Sequence, residues 1–149
     1  MKTQIDTSDL VAAMGDAVIV CDRAGLITLW NPGAQRMFGY TEDEALGQTL
    51  NLITPERLRS RHHDGYAHSM DTGTTRYSND VLRVPAINKA GENMSIAFTV
   101  AMLKDAAGEV TGVAAVIRNE TQRFAEDRAL KKRLAELEAA LKTQGSVGS

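Results

Sequence analysis

The sequence predicts an α+β domain followed by a leucine-bearing helix, and three observations lead to this reading. Five β-rich or alternating runs, at Ala17 to Cys21, Leu26 to Trp30, Asp80 to Asn88, Asn93 to Lys104 and Val110 to Arg118, are bounded by turn-forming residues. Between the second and third runs lies a chain of capped short helices ending in one longer helix. After Thr121 the apolar residues change to a helical spacing, with Leu130, Leu134, Leu137 and Leu141 separated by 4, 3 and 4 positions.

Taken in order, residues 1 to 7 are polar and read as a loose N-terminus, after which Ser8 or Asp9 is expected to cap a short helix carrying Leu10, Val11 and Met14. Asp22-Arg-Ala-Gly25 joins the first two β runs as a hairpin. The second run stops at Asn31-Pro32-Gly33, where Asn31 can cap a helix and Pro32 can take its first position. Gly39 ends that helix, Thr41 with Glu44 forms a capping box for the next, and Gly47 closes it. Pro55 opens a longer helix to about Asp71, with Thr54 as its cap and Gly73 beyond its end.

Lys89-Ala-Gly-Glu92 and Asp105-Ala-Ala-Gly108 mark the turns between the last three runs. In the fourth run Met94, Ile96, Phe98, Val100 and Met102 share one face, which should line a core or pocket. Residues 123 to 143 form the terminal amphipathic helix, whose leucine seam asks for a partner, and 144 to 149 read as a flexible tail.

Composition narrows the function. At 149 residues the chain holds one domain and an appendage, so any output domain lies in a partner or elsewhere in a longer chain. A hydrophobic content of 43%, 24% charged residues and a net charge of −2 are ordinary for a globular domain and give no footprint for nucleic acid. No apolar run approaches the roughly 18 residues that span a bilayer, and the first residues lack a signal-peptide core, so a cytoplasmic protein without membrane contact is expected. The single cysteine, Cys21, excludes an internal disulfide and a cysteine-rich zinc site, and like Trp30 it reads as core. No phosphate-binding glycine loop, nucleophile elbow or kinase signature is present, so no enzymatic activity is expected.

The long helix carries the candidate chemistry, with His62, His63 and His68 around Asp64-Gly65-Tyr66. Asp64 and His68 are spaced for one helix face, but two ligands do not make a metal motif.

The stretch from Gly25 to Gln48, a strand followed by small capped helices, strongly resembles the PAS family, and the resemblance runs from about Ser8 to Gln122. It implies a five-stranded antiparallel sheet with helices on one face, a sensor domain over residues 8–122. His63-Asp64-Gly65-Tyr66, Met70-Asp-Thr-Gly73 and Arg83 together resemble the heme-binding PAS domains of FixL-type oxygen sensors. That resemblance implies heme b, with His63 as the proximal iron ligand and Arg83 as the distal residue contacting bound gas or a propionate. Imidazole and guanidinium suit these roles chemically.

Once a one-residue gap is allowed in the turn before Gly91, the family's apolar distal residues fall on Phe98 and Val100. The reactive cysteine motif of the related flavin photoreceptors is absent, so no flavin is expected. The resulting expectation is a sensor of a diatomic gas such as oxygen. It would be a homodimer through the C-terminal helix, signalling to a histidine kinase or other effector. The alternatives are a cofactor-free dimerisation or interaction module and a receptor for a small metabolite.

Overall fold

The computed structural model describes residues 4–72 and 81–147, with side chains at these positions apart from 68–72 and 146–147. The chain divides into two compact units, one up to Asn119 and one from Glu120.

In the first unit β1 (Ala17–Asp22), β2 (Ile27–Trp30), β3 (Leu82–Ile87), β4 (Asn93–Lys104) and β5 (Val110–Asn119) form one antiparallel sheet. Its strand order is β2-β1-β5-β4-β3. The pairs β1-β2, β3-β4 and β4-β5 join neighbours in sequence, whereas β1-β5 brings the two ends of the domain together. The ladder between β1 and β2 slips one residue after Val20, so Ile27 pairs with Cys21 while Trp30 pairs with Ile19. That irregularity places Ile27 and Trp30, three positions apart, in the same buried cluster.

The helices are α1 (Thr7–Ala13), α2 (Pro32–Phe38), α3 (Glu42–Ala45), α4 (Arg59–Thr72) and, in the second unit, α5 (Thr121–Val147). Ala34 and Phe38 of α2 and Ala45 of α3 are fully buried with Ile19, Cys21, Ile96 and Ile117 of the sheet, so the core lies between these helices and one sheet face. Burying a side chain the size of Phe38 stabilises the fold by about 1.5–3 kcal/mol. Trp30 stacks at a tilt on Phe38, 5.8 Å between centroids, and its Nε1–H donates to the Tyr40 carbonyl at 2.9 Å. The indole is therefore core, with its one polar atom satisfied.

Asn31 caps α2 through Oδ1, which accepts from Ala34 N at 2.9 Å and also from Val18 N at 2.8 Å. Its Nδ2 donates to the carbonyls of Val11 and Asp16, at 2.9 and 3.1 Å. One buried amide thus joins the end of α1, the start of β1 and the start of α2. The Thr41–Glu44 capping box is present in both directions, and Gly39 ends α2 at φ 85°, a left-handed conformation that favours glycine.

Several boundaries differ from the sequence reading. Asp6, rather than Ser8 or Asp9, caps α1, its carboxylate accepting from Ser8 N at 2.9 Å. Pro55 opens a 3-10 turn, Glu56–Leu58, and α4 proper begins at Arg59. Thr54 does not cap it, because its hydroxyl donates back to the Leu50 carbonyl at 2.7 Å. The expected helix end at Gly73 and strand start at Asp80 lie outside the described residues, and β3 is described from Leu82. Helix α5 continues through Gln144 to Val147, past the expected boundary at 143, since each added residue extends the hydrogen-bond ladder by one bond. Among the described residues no helix is long and apolar enough to cross a membrane.

Candidate functional site

Helix α4 and the inner sheet face supply the candidate site. Along β4, Met94 and Ile96 are buried, while Phe98, Val100 and Met102 on the same face are only half-buried. Their partners across the ladder, Ile117, Ala115 and Val113, extend this apolar surface onto β5. One end of the inner face is therefore closed core, and the other is an incompletely covered apolar patch.

Tyr66 ties α4 to this region. It packs against the buried cluster, as do Phe98 and Ala115, and its hydroxyl donates to the backbone carbonyl of Asp22. Burial, with the neighbouring Cys21 and Asp22, pushes the phenol above its ordinary value, so it stays protonated and able to donate. Cys21 is buried and its thiol is pushed up to about 12, chiefly by desolvation, which makes it inert as a nucleophile.

One turn before Tyr66, His62 is half-buried, its ring 6.3 Å from the Tyr66 ring. Its Nδ1 is buried with no hydrogen-bond partner among the described residues. Desolvation, and then the neighbouring His63, lower its pKa and hold it neutral. His63 is exposed, and its Nε2 lies 3.0 Å from Asn51 Oδ1. Asp64 and Gly65 are exposed, and the side chain of His68 lies outside the described residues. Among the described residues no group of three or more His, Cys, Asp or Glu is placed to hold a metal ion.

Sequence reasoning gave the iron to His63, named His62 without a role and did not name Asn51. A signal for His62 was present, since Leu58, His62 and Tyr66 recur every fourth residue, close to the period of one helix face, whereas nothing local marks Asn51.

The structure does not bring Arg83 together with Phe98 and Val100. Arg83 pairs with Ala97, whereas Phe98 pairs with Leu82. Side chains directly opposite in a ladder share a face and successive ones alternate, so Arg83 stands exposed on the face opposite Phe98. The physical reason is the two-residue period of a strand: Leu82 lies opposite Phe98 and shares its face, so its neighbour Arg83 takes the other one.

The order of strands and short helices, with its half-covered inner face, agrees with a family comparison in which the model described as PAS fold matches residues 11–125. The chain belongs to the PAS family. Within it, the chain is similar to the sensor protein FixL of Bradyrhizobium diazoefficiens, 51% identical over 51 residues, which are 34% of this chain and 10% of that protein. It is also similar to the oxygen sensor protein DosP of Escherichia coli K12, 28% identical over 50 residues, 34% of this chain and 6% of that protein. This PAS chain thus matches a tenth or less of the length of either relative. A solved PAS domain from Colwellia psychrerythraea superposes with a TM-score of 0.68 at 18% identity, over 78% of this chain and 95% of that one. At that identity the likeness is one of fold.

Proposed function

We propose that this PAS domain is a cytoplasmic, non-enzymatic sensory module that binds heme b between α4 and the half-covered patch of the sheet and responds to a diatomic gas of the oxygen type. The observation that carries the reading is the 51% identity to FixL, together with the His63-Asp64-Gly65-Tyr66 run. The residues present suit the group: α4 carries adjacent imidazoles, and beside them an apolar surface is left incompletely covered.

His63 is the proposed axial ligand. Its Nε2–H donates to an amide oxygen, the kind of contact that sets a histidine's tautomer and raises the basicity of its other nitrogen. His62 brings a second, neutral imidazole with an open nitrogen beside it. Phe98 and Val100 are the proposed distal-side residues, since apolar side chains exclude water from a gas site. Arg83 is left out of this pocket because it lies on the other face of β3. Bound heme would supply an iron centre whose ligation changes with the gas.

Output is proposed to pass from β5 across Glu120 into α5, which pairs with a second copy and biases an effector such as a histidine kinase. Sensing is then a shift between helix packings.

An ultraviolet-visible spectrum of protein expressed with heme precursor tests the proposal. A stoichiometric Soret band that moves with oxygen or carbon monoxide is expected. A colourless protein that fails to take up hemin would overturn heme sensing and leave an interaction module or a metabolite receptor.

A further inference from the structure

Helix α4 is fastened at two points. The segment leading into it is held to β3 by Ile87 N, which donates to the Ile53 carbonyl at 3.0 Å, and Arg59 Nε in its first turn donates to the Thr54 carbonyl at 3.1 Å. Tyr66 makes the second fastening. Its hydroxyl donates to the carbonyl of Asp22 at the end of β1, and its ring lies over the β1–β2 turn, where a Cβ at Gly25 would touch it at 3.7 Å. In the strand order β2-β1-β5-β4-β3 these two points stand on opposite sides of β5 and β4. The half-buried patch of Phe98, Val100, Met102, Val113 and Ala115 lies between them.

Little else holds the helix down. None of residues 59–67 is fully buried, and only Arg59, His62 and Tyr66 are half-buried. Of these, Tyr66 alone packs on the core cluster. Past His63, which meets Asn51, Tyr66 is the one side chain of α4 among the described residues that hydrogen-bonds to another element. Gly65 sits in this weakly held stretch. A Cβ there would meet nothing within 4 Å and its φ is not positive, so neither space nor backbone geometry calls for glycine. What a glycine does inside a helix is weaken it, through the conformational freedom regained when the turn opens.

We infer that α4 from Gly65 onward is a latched lid over the apolar patch: the Tyr66 hydroxyl on the Asp22 carbonyl holds it shut, and Gly65 is the turn at which it lifts to admit an apolar ligand. This rests on the patch as the binding surface and not on heme as its occupant. A segment with few buried contacts opens locally, at a lower free energy than the whole domain. A probe that binds only the uncovered patch sees just the open fraction, so loosening the latch strengthens its binding and stiffening the helix weakens it.

The test uses the full chain. Backbone amide exchange is followed by mass spectrometry, and 8-anilinonaphthalene-1-sulfonate fluorescence reports uncovered apolar surface. Tyr66→Phe keeps the ring and removes the hydroxyl. Amides of residues 64–72 should then exchange about fivefold faster and the dye should bind about fivefold more tightly, while the amides of β5 keep their protection. Gly65→Ala should move both readings the other way by about threefold, and it carries the test by itself if Tyr66→Phe fails to fold. Protection lost equally from α4 and β5 in Tyr66→Phe would make Tyr66 a support of the whole domain and overturn the lid. Faster exchange in α4 with unchanged dye binding would leave a loose helix that covers nothing, which overturns it as well. No change in either variant would overturn the latch. None of these readings involves heme, so a protein that fails to take up hemin leaves them standing.

Discussion

His63 Nε2 lies 3.0 Å from Asn51 Oδ1, a contact that joins α4 to the 3-10 turn Leu50–Leu52. An amide oxygen only accepts, so Nε2 of His63 is the donor, and the tautomer of the neutral ring that this contact selects keeps its lone pair on Nδ1. His63→Ala should abolish the Soret band, whereas His62→Ala should retain it, and Asn51→Ala should weaken hemin binding about tenfold through loss of that orienting contact. Hemin titration followed by absorbance checks all three. The reverse pattern for the two histidines would transfer the axial role to His62.

Asn31 makes four hydrogen bonds from a side chain with only 4% of its surface exposed. Asn31→Ala removes a helix cap and strands the amide of Val18 and the carbonyls of Val11 and Asp16. A loss of about 2–4 kcal/mol in urea-induced unfolding is expected. Asn31→Asp keeps both acceptor contacts but sets a carboxylate against two carbonyl oxygens, so it should rescue little.

Lys89 Nζ approaches Glu44 Oε2 at 2.5 Å, linking the β3–β4 turn to α3. This contact, followed by the capping bond from Thr41, holds the Glu44 carboxyl below its ordinary value. A lowered folded pKa gives stability that is fully present above the unfolded value, about 4.3, and is lost as pH falls through the folded value. The difference in urea midpoint between the native chain and Lys89→Ala should stay constant from pH 8 to about pH 5 and shrink below about pH 4. A difference that persists at pH 2 would show that Lys89 acts through its packing on Tyr40, whose ring centre lies 5.9 Å away.

Cys21 and Tyr66 titrate in the opposite sense. Both are acids whose folded values are raised, to about 12 for the thiol, so their stability is complete below the unfolded values and is lost as pH rises through the folded ones. Stability should begin to fall above about pH 9, and Cys21→Ala and Tyr66→Phe should each flatten that alkaline slope. In the native protein at pH 8 a thiol reagent should react only at the rate of unfolding, and in strong urea it should react to completion within minutes. Rapid native reaction would contradict the burial of Cys21.

The features legible in the chain were those with a short period or a short reach. Asn31 before Pro32, Thr41 with Glu44 and Gly39 after Phe38 act within one helical turn. The alternation from Met94 to Met102 and the seam from Leu130 to Leu141 each repeat within one element, so all of these were readable from residue order. The slip between Val20 and Cys21, which lets Ile27 and Trp30 share the core, depends on how two strands meet and left no local mark. The same holds for the long-range bonds of Asn31 to Val11, Asp16 and Val18.

The candidate site divides along the same line. Sequence by itself determined the PAS architecture, the position of the histidine-bearing helix and the leucine seam from Leu130 to Leu141, because spacing along one element dictates which residues share its face. Only the tertiary structure decided that His62 turns inward beside Tyr66 while His63 meets Asn51, and that Arg83 stands opposite Phe98 rather than beside it. Helix rotation and strand register are set by packing between elements. A step of one residue costs little in local propensity, yet it turns a helix position by about 100° and moves a strand residue to the opposite face.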